Sequence, residues 1–208
     1  MFGNLFNTLV RKKIRIIRIF NLAWIIIGMC FIFAAKSVFL RESQNNVFWY
    51  DFALLAGKTA LIFFVITLSP GIFKRFGIRN RILGLIMIFR RQFGITIFLL
   101  AAFHGFIISL LPKLLKGPPI LLAFFEIFGL SALTLLFFLF LTSNDISQHR
   151  LGNWWYLLHR LVYIIMWLIL FHTALQRISF WSVLALVLVI SEMSGILYSN
   201  LVKRNPVR

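Results

Sequence analysis

The chain has 208 residues, 61% hydrophobic and 13% charged, with a formal net charge of +17. A soluble domain is about 45–50% apolar and about 25% charged, and a water-soluble fold of this size could not hide 25 Phe without large exposed patches. The composition therefore excludes a water-soluble globular protein and makes lipid the solvent.

The basic excess, 22 Lys and Arg against 5 Asp and Glu, would suggest nucleic acid in a soluble chain. No RNA- or DNA-binding motif accompanies it, so nucleic acid is not an expected partner. The basic residues gather at the ends of apolar runs, where they set topology and meet anionic lipid headgroups.

A hydrocarbon core of about 30 Å takes roughly 20 apolar residues per helix, and six segments qualify. The first span covers about residues 19–39 behind Arg11, Lys12, Lys13, Arg15 and Arg18. That run is long, and Phe33 before Ala35 spoils a small-x-small cleavage site, so it reads as an uncleaved span. It holds the single cysteine, Cys30, which makes no intrachain disulfide and no cysteine metal site. The second span, 52–68, is expected to stop at Ser69-Pro70-Gly71. The apolar piece 82–89 lies between Arg79, Arg81, Arg90 and Arg91, is too short to cross, and reads as interfacial.

The third span, 92–111, is expected to stop at Pro112. The fourth, 120–141, follows Pro118-Pro119, with proline suited to a first turn. The fifth covers 154–175 and the sixth 180–201. The expected fold is an all-α integral membrane protein, a six-transmembrane-helix bundle forming one domain over residues 1–208. Sixteen Lys and Arg fall in the N-terminal segment, the 2–3 loop, the 4–5 region and the C-terminal segment. The other side holds five: Lys36, Arg41, Lys113, Lys116 and Arg177. The positive-inside rule thus places both termini in the cytoplasm, in a multi-pass protein of the cell membrane.

Ionisable residues inside a span are costly and mark function. They are Lys58, His104, Glu126, His159, His172 and Glu192. His149 lies in a polar stretch and reads as solvated. His104 lies 14 residues beyond Arg90, and His172 lies 13 beyond His159. At about 1.5 Å per residue, His104 and His172 share an outer level, and His159 shares an inner level with Arg90 and Arg91.

A neutral imidazole in lipid needs a partner for each nitrogen. Iron satisfies one, and a group on another helix satisfies the other. Two imidazoles facing each other across a bundle suit six-coordinate haem and electron transfer, because no iron position stays open. Zinc would want further His, Cys or carboxylate ligands, and Glu126 is the only third ligand within reach. Interhelical hydrogen bonding is the plainer use of these histidines.

His159 and His172 point about 140° apart on an ideal helix. Either the fifth helix is bulged, or the two face different neighbours, or His159 is no ligand and hydrogen-bonds near the inner surface. Glu126 and Lys58 start inward-running helices at similar depth, which allows an ion pair; Lys58 also suits a haem propionate or an outward snorkel. Glu192 could pair with Arg160.

Three stretches carry a family likeness. The first is Gly57-Lys58-Thr59-Ala60-Leu61 followed by Ile66-Thr67-Leu68-Ser69-Pro70. The second is Arg90-Arg91-Gln92-Phe93-Gly94, then His104. The third is Thr142-Ser143, Arg150-Leu151-Gly152-Asn153-Trp154, Leu158-His159 and Phe171-His172. In order and spacing, over about residues 53–175, the chain resembles the ferric-reductase-like transmembrane superfamily. It is most similar there to the haem-binding membrane subunits of periplasmic protein-methionine-sulfoxide reductase systems.

The resemblance implies haem b, held by His104, His172 and His159, with Arg91 and Lys58 beside the cofactor. Larger relatives carry two haems. Here Arg90 or Arg91 stands at the inner position of the third span, which favours one outer haem between His104 and His172. Some members use flavin mononucleotide, which no residue pattern locates here. The implied function is an electron-transfer subunit rather than a complete enzyme. It would draw on quinol or a cytosolic flavin reductase and deliver to an extracytoplasmic methionine sulfoxide reductase. A basic 2–3 loop could dock an acidic donor. A stand-alone ferric or metal reductase of the same fold is the nearest alternative. A non-redox transporter or scaffold with structural histidines is the more distant one, although the broken or repeated helices usual in transporters are not evident.

Overall fold

The structure is a computed structural model and describes residues 10–40, 43–119 and 121–204, without the side chains of 43–46 and 203–204. Among these residues the chain is helical, with no strand. The helices are α1 (Lys13–Phe39), α2 (Ser43–Arg75), α3 (Arg81–Ile88), α4 (Arg90–Gly105), α5 (Leu111–Lys116), α6 (Phe124–Leu141), α7 (Asp145–Leu151), α8 (Asn153–His159), α9 (Val162–Gln176) and α10 (Phe180–Arg204). A π-helical turn, Phe106–Leu110, joins α4 to α5. Among the described residues six stretches are long and apolar enough to cross a membrane: Lys13–Phe39, Val47–Arg75, Arg90–Lys116, Phe124–Leu141, Asn153–Gln176 and Phe180–Val202. Residue 120, where the sequence places the start of the fourth span, lies outside the described residues, as do Arg41 and Arg208.

Two expected helix stops do not stop the helix. Pro70 sits inside α2. Proline offers no N–H to the carbonyl four residues back, but the Ser69 hydroxyl donates to the Ile66 carbonyl at 2.8 Å. The hydroxyl restores the missing partner and the helix runs five residues further, to Arg75. Pro112 falls in the first turn of α5, directly after the π turn, where the Leu111 N–H reaches back to Phe106 O. The wider turn carries the chain past proline to Lys116.

The fifth span, by contrast, is interrupted. Arg160 and Leu161 make tighter three-residue bonds, to Leu157 O at 3.1 Å and Leu158 O at 3.0 Å. This break separates α8 from α9 and frees His159 from the direction of His172. The segment 82–89 forms α3, eight residues capped by the Asn80 side chain, about 12 Å long and too short to cross.

Two cores hold the bundle. At the end carrying Arg90, Arg91 and Arg160, which we call the basic end, Phe64, Leu68, Ile97, Leu136, Ile165 and Leu188 pack together. Towards the far end Ala34, Ala53 and Ala56 meet Phe103, Ile107 and Leu111. These small side chains let helix backbones approach closely, which is how packing is won where lipid supplies no hydrophobic drive. Helix α1 joins the bundle through an indole bond from Trp24 Nε1 to Thr96 Oγ1 (2.9 Å) and ring contacts of Phe20 with Phe93 and of Phe31 with Phe103. Its outward residues, such as Ile14, Ile19 and Ile32, are exposed, as a lipid-facing helix requires.

Candidate functional site

Two histidines meet inside the far half of the bundle, and each is built the same way. His104, in the last turn of α4, lies against Gly57 of α2, and its Nδ1 is 3.0 Å from the carbonyl of Ala53. His172, on α9, lies against Gly129 of α6, and its Nδ1 is 2.7 Å from the carbonyl of Phe125. In both cases the carbonyl belongs to the residue four before the glycine, so each ring spans one helical turn of its neighbour.

A side chain at either glycine would collide with the ring. A Cβ at Gly57 would stand 2.7 Å from His104 Nδ1, and one at Gly129 would stand 2.6 Å from His172 Nδ1. Glycine weakens a helix interior by roughly 1 kcal/mol against alanine, and at these two positions the lost side chain is the space the imidazole occupies.

The chemistry of the pair follows from those bonds. A carbonyl oxygen only accepts, so each Nδ1 carries the proton and donates. In a neutral ring that leaves Nε2 with a free lone pair. The ring centres are 6.3 Å apart, with the planes at 79°. A metal–imidazole bond is about 2.0–2.1 Å and the bonding nitrogen lies roughly 1.1 Å from the ring centre, so two imidazoles on opposite sides of one metal have centres about 6.3 Å apart. The donor set and the spacing fit a pair of residues that would hold one haem iron between them. Among the described residues no group of three or more His, Cys, Asp or Glu is placed to hold a metal ion, which leaves zinc without its usual ligand number.

Glu126 adjoins this pair, with a partner other than Lys58. Its carboxylate accepts from Ser109 Oγ (2.7 Å) and from its own Ala123 N–H (2.7 Å), and it forms an ion pair with Lys113. Lys58 instead extends over the indole of Trp181 on α10, 5.8 Å from the ring centre. Relative to the two cradles it lies about one helical turn beyond the level of Glu126, since it follows Gly57 while Glu126 precedes Gly129, and it turns to a different neighbour.

The expected Glu192–Arg160 pair is likewise replaced. Glu192, only 3% exposed, pairs with Arg75 at the end of α2, whose other guanidinium nitrogen donates to Tyr163 Oη at 2.9 Å. The pair sits where α10 comes close to α2: a Cβ built at Gly195 would lie 3.4 Å from Arg75 Cβ.

His159 is apart from the pair. Its Nδ1 bonds to the Trp155 carbonyl of its own helix at 3.0 Å, and its ring stacks on Trp155 with centres 3.9 Å apart. Trp155 is itself held by its indole N–H on Thr142 O (2.8 Å). His159 lines a cavity of about 650 Å³, within the range of about 300–1,000 Å³ usual for ligand sites. Its walls come from the core residues Phe64, Leu68, Ile97 and Leu136, and its exposed edge carries Arg90, Arg91 and Arg160. Arg91 bonds Asp145 at 2.9 Å across that edge. Among the described residues, His159 is the only histidine lining the cavity.

The sequence alone did not expose Gly129, Ser109 or Lys113 as parts of the site. Gly129 had a signal: it is the only glycine in an otherwise bulky apolar helix, Phe124–Leu141. The carbonyls of Ala53 and Phe125 had none, because backbone groups are the same at every residue.

These features define a helical membrane protein whose bundle brings two carbonyl-anchored imidazoles within 6.3 Å of each other, centre to centre. The model of the family described as "Ferric reductase like transmembrane component" matches residues 56–170, more than half of the chain and both histidine cradles apart from Ala53 and His172 themselves. The chain belongs to this family, and with it to the proteins that move electrons within membranes. No solved structure matches it.

Proposed function

We propose that the protein relays electrons across the cell membrane through haem b held between His104 and His172, and serves as the membrane subunit of an oxidoreductase system. The observation that carries this reading is the pair of carbonyl-anchored rings 6.3 Å apart. Bound haem supplies one-electron transfer.

The chain's own residues do the rest. His104 and His172 offer Nε2 to iron, and the bonds to Ala53 O and Phe125 O fix ring orientation and raise donor strength. Packed apolar neighbours such as Phe103, 1% exposed, keep water out. Lys58 would meet a propionate by leaving Trp181. On this reading both termini are cytoplasmic and the basic end faces the donor, a quinol or a cytosolic flavin reductase. The cavity beside His159, edged by Arg90, Arg91 and Arg160, suits the planar head of such a donor or a bound flavin mononucleotide. The acceptor at the far end is an extracytoplasmic methionine sulfoxide reductase.

The test is a reduced-minus-oxidised visible spectrum of the protein purified in mild detergent, with a pyridine haemochrome count. One b-type haem per chain is expected. A colourless protein expressed with ample haem overturns the proposal. Supplying the purified, reduced protein with a ferric chelate or with a sulfoxide reductase subunit then separates a stand-alone metal reductase from a partnered one.

A further inference from the structure

The two histidine cradles lie on different helix pairs, and something must hold them in register. The His104 cradle belongs to α2 and α4, and the His172 cradle to α6 and α9. Phe125 O, which anchors His172, sits in the first turn of α6, behind a connection in which residues 117–119 and 121–123 form no helix. The next residue, Glu126, bonds back to Ala123 N–H, and its carboxylate also takes Ser109 and Lys113. Both of these come from the unit that carries His104.

The π turn explains how they reach it. In an α-helix the residue stacked over His104 would be Ile108, four positions on. A π turn closes its bonds at five, so the turn over Phe106–Leu110 delays the register by one and brings Ser109, then Lys113, round toward α6. One inserted residue thus converts an apolar face into a hydroxyl and an ammonium aimed at one carboxylate.

We infer that Glu126, gripped by Ser109 and Lys113, is a positioning residue: it fixes the Phe125 carbonyl on His172 and so sets the ligand geometry and reduction potential of the iron that the two histidines hold. This rests on the haem reading above. It acts through hydrogen-bond geometry and not through the field of its charge. A tighter Nδ1–H···O bond makes the imidazole a stronger donor, which favours ferric iron; loosening the latch weakens the donor and raises the potential.

The sign of the shift separates the two mechanisms. The experiment compares Glu126→Gln, Lys113→Met and Ser109→Ala in the whole haem-loaded protein by redox titration and low-temperature electron paramagnetic resonance. If the latch positions, all three variants keep their haem. All three raise the potential, with Glu126→Gln moving the ferric/ferrous ratio about tenfold at fixed potential, which is about 59 mV for one electron. The resonance of near-perpendicular ligand planes moves with them. If charge were the cause, Glu126→Gln would raise the potential and Lys113→Met would lower it. Opposite signs overturn the inference, and so does an unchanged potential and resonance.

Ser109→Ala, the mildest change, keeps the test open if the other two fold poorly. Hydrogen exchange at the first turn of α6 in haem-free protein reads the latch by itself. Faster exchange in Glu126→Gln is expected, and unchanged exchange counts against the latch whether or not the wild type binds haem.

Discussion

The far half and the basic end of this bundle use histidine in opposite ways. His104 and His172 are each anchored to the carbonyl of a different helix, over a glycine that makes room for the ring. Their positions are properties of the packed bundle. His159 is anchored to its own helix and leans on Trp155, so it travels with α8 and opens onto a ligand-sized space edged by arginine. The first arrangement fixes two nitrogens at one spacing, as a metal requires. The second leaves one side chain beside a space, as a docking ligand requires. One residue type thus sits in two settings, told apart by what holds Nδ1.

The sharpest way to break this comparison is to remove each ring. His104→Ala and His172→Ala are expected to abolish the b-type spectrum, because each takes away one of the two nitrogens that would hold the proposed haem. His159→Ala is expected to leave both the spectrum and the haem count intact while slowing reduction by an added donor. A lost spectrum in His159→Ala would place iron at the basic end and reverse the assignment. The measurement is the haemochrome count on purified variants.

Next in size are the glycines. Gly57→Ala and Gly129→Ala put a methyl 2.6–2.7 Å from an imidazole nitrogen, closer than any real contact, and the ring must leave its carbonyl. Loss of such an outer partner weakens metal binding roughly 10–100-fold, so haem retention on dilution should fall by about that factor. Gly28, where an added Cβ would meet nothing within 4 Å, is the control: alanine there should leave retention unchanged and gain up to about 1 kcal/mol of helix stability. Equal losses at all three glycines would show that retention reports general damage.

How the site reads from sequence follows the same division. Depth was legible, because residues can be counted along a helix at about 1.5 Å each. That count set His104 and His172 at one level, and their rings meet. Azimuth was not legible. Lys58 and Glu126 were counted to similar depth, yet one turns to Trp181 and the other to Lys113. Glu192 finds Arg75 and not Arg160, because α10 packs against α2 with Gly195 at the contact. The six apolar helices were plain from hydropathy. The π turn after His104 was hidden, since it changes a bonding pattern by one residue without changing composition, whereas the break at Arg160–Leu161 answers to an irregular fifth helix, one of three explanations the angle between His159 and His172 allowed.

A buried ion pair at the basic end gives a third, smaller test of the far-half assignment. Glu192→Ala leaves the half-buried Arg75 guanidinium with Tyr163 as its remaining bond. Removing the carboxylate from such a partly buried pair costs about 1–3 kcal/mol, read as a lower unfolding temperature in detergent, while the haem spectrum of the surviving folded fraction keeps its shape. A changed spectral shape would mean that the two ends are mechanically coupled.

The smallest effect is expected at Arg91, and it bears most directly on what the basic end does. Its partner Asp145 is 78% exposed and Arg91 itself 43%, and exposed pairs contribute about 0–1 kcal/mol. Arg91→Ala should therefore barely move the unfolding temperature. Arg91 also lies 13 residues before His104 along one continuous span, about 20 Å of helix, too far to touch iron held in the far half. The spectrum and the haem count should stay at wild-type values. The affinity for an anionic donor or for flavin mononucleotide should fall, by roughly the two- to fivefold expected for one exposed cation at an open edge. Titrating flavin mononucleotide into the wild type and into Arg91→Ala measures this directly. A variant that loses its haem but still binds flavin as before would move the cofactor to the basic end and leave the far-half histidines as helix-to-helix hydrogen bonds.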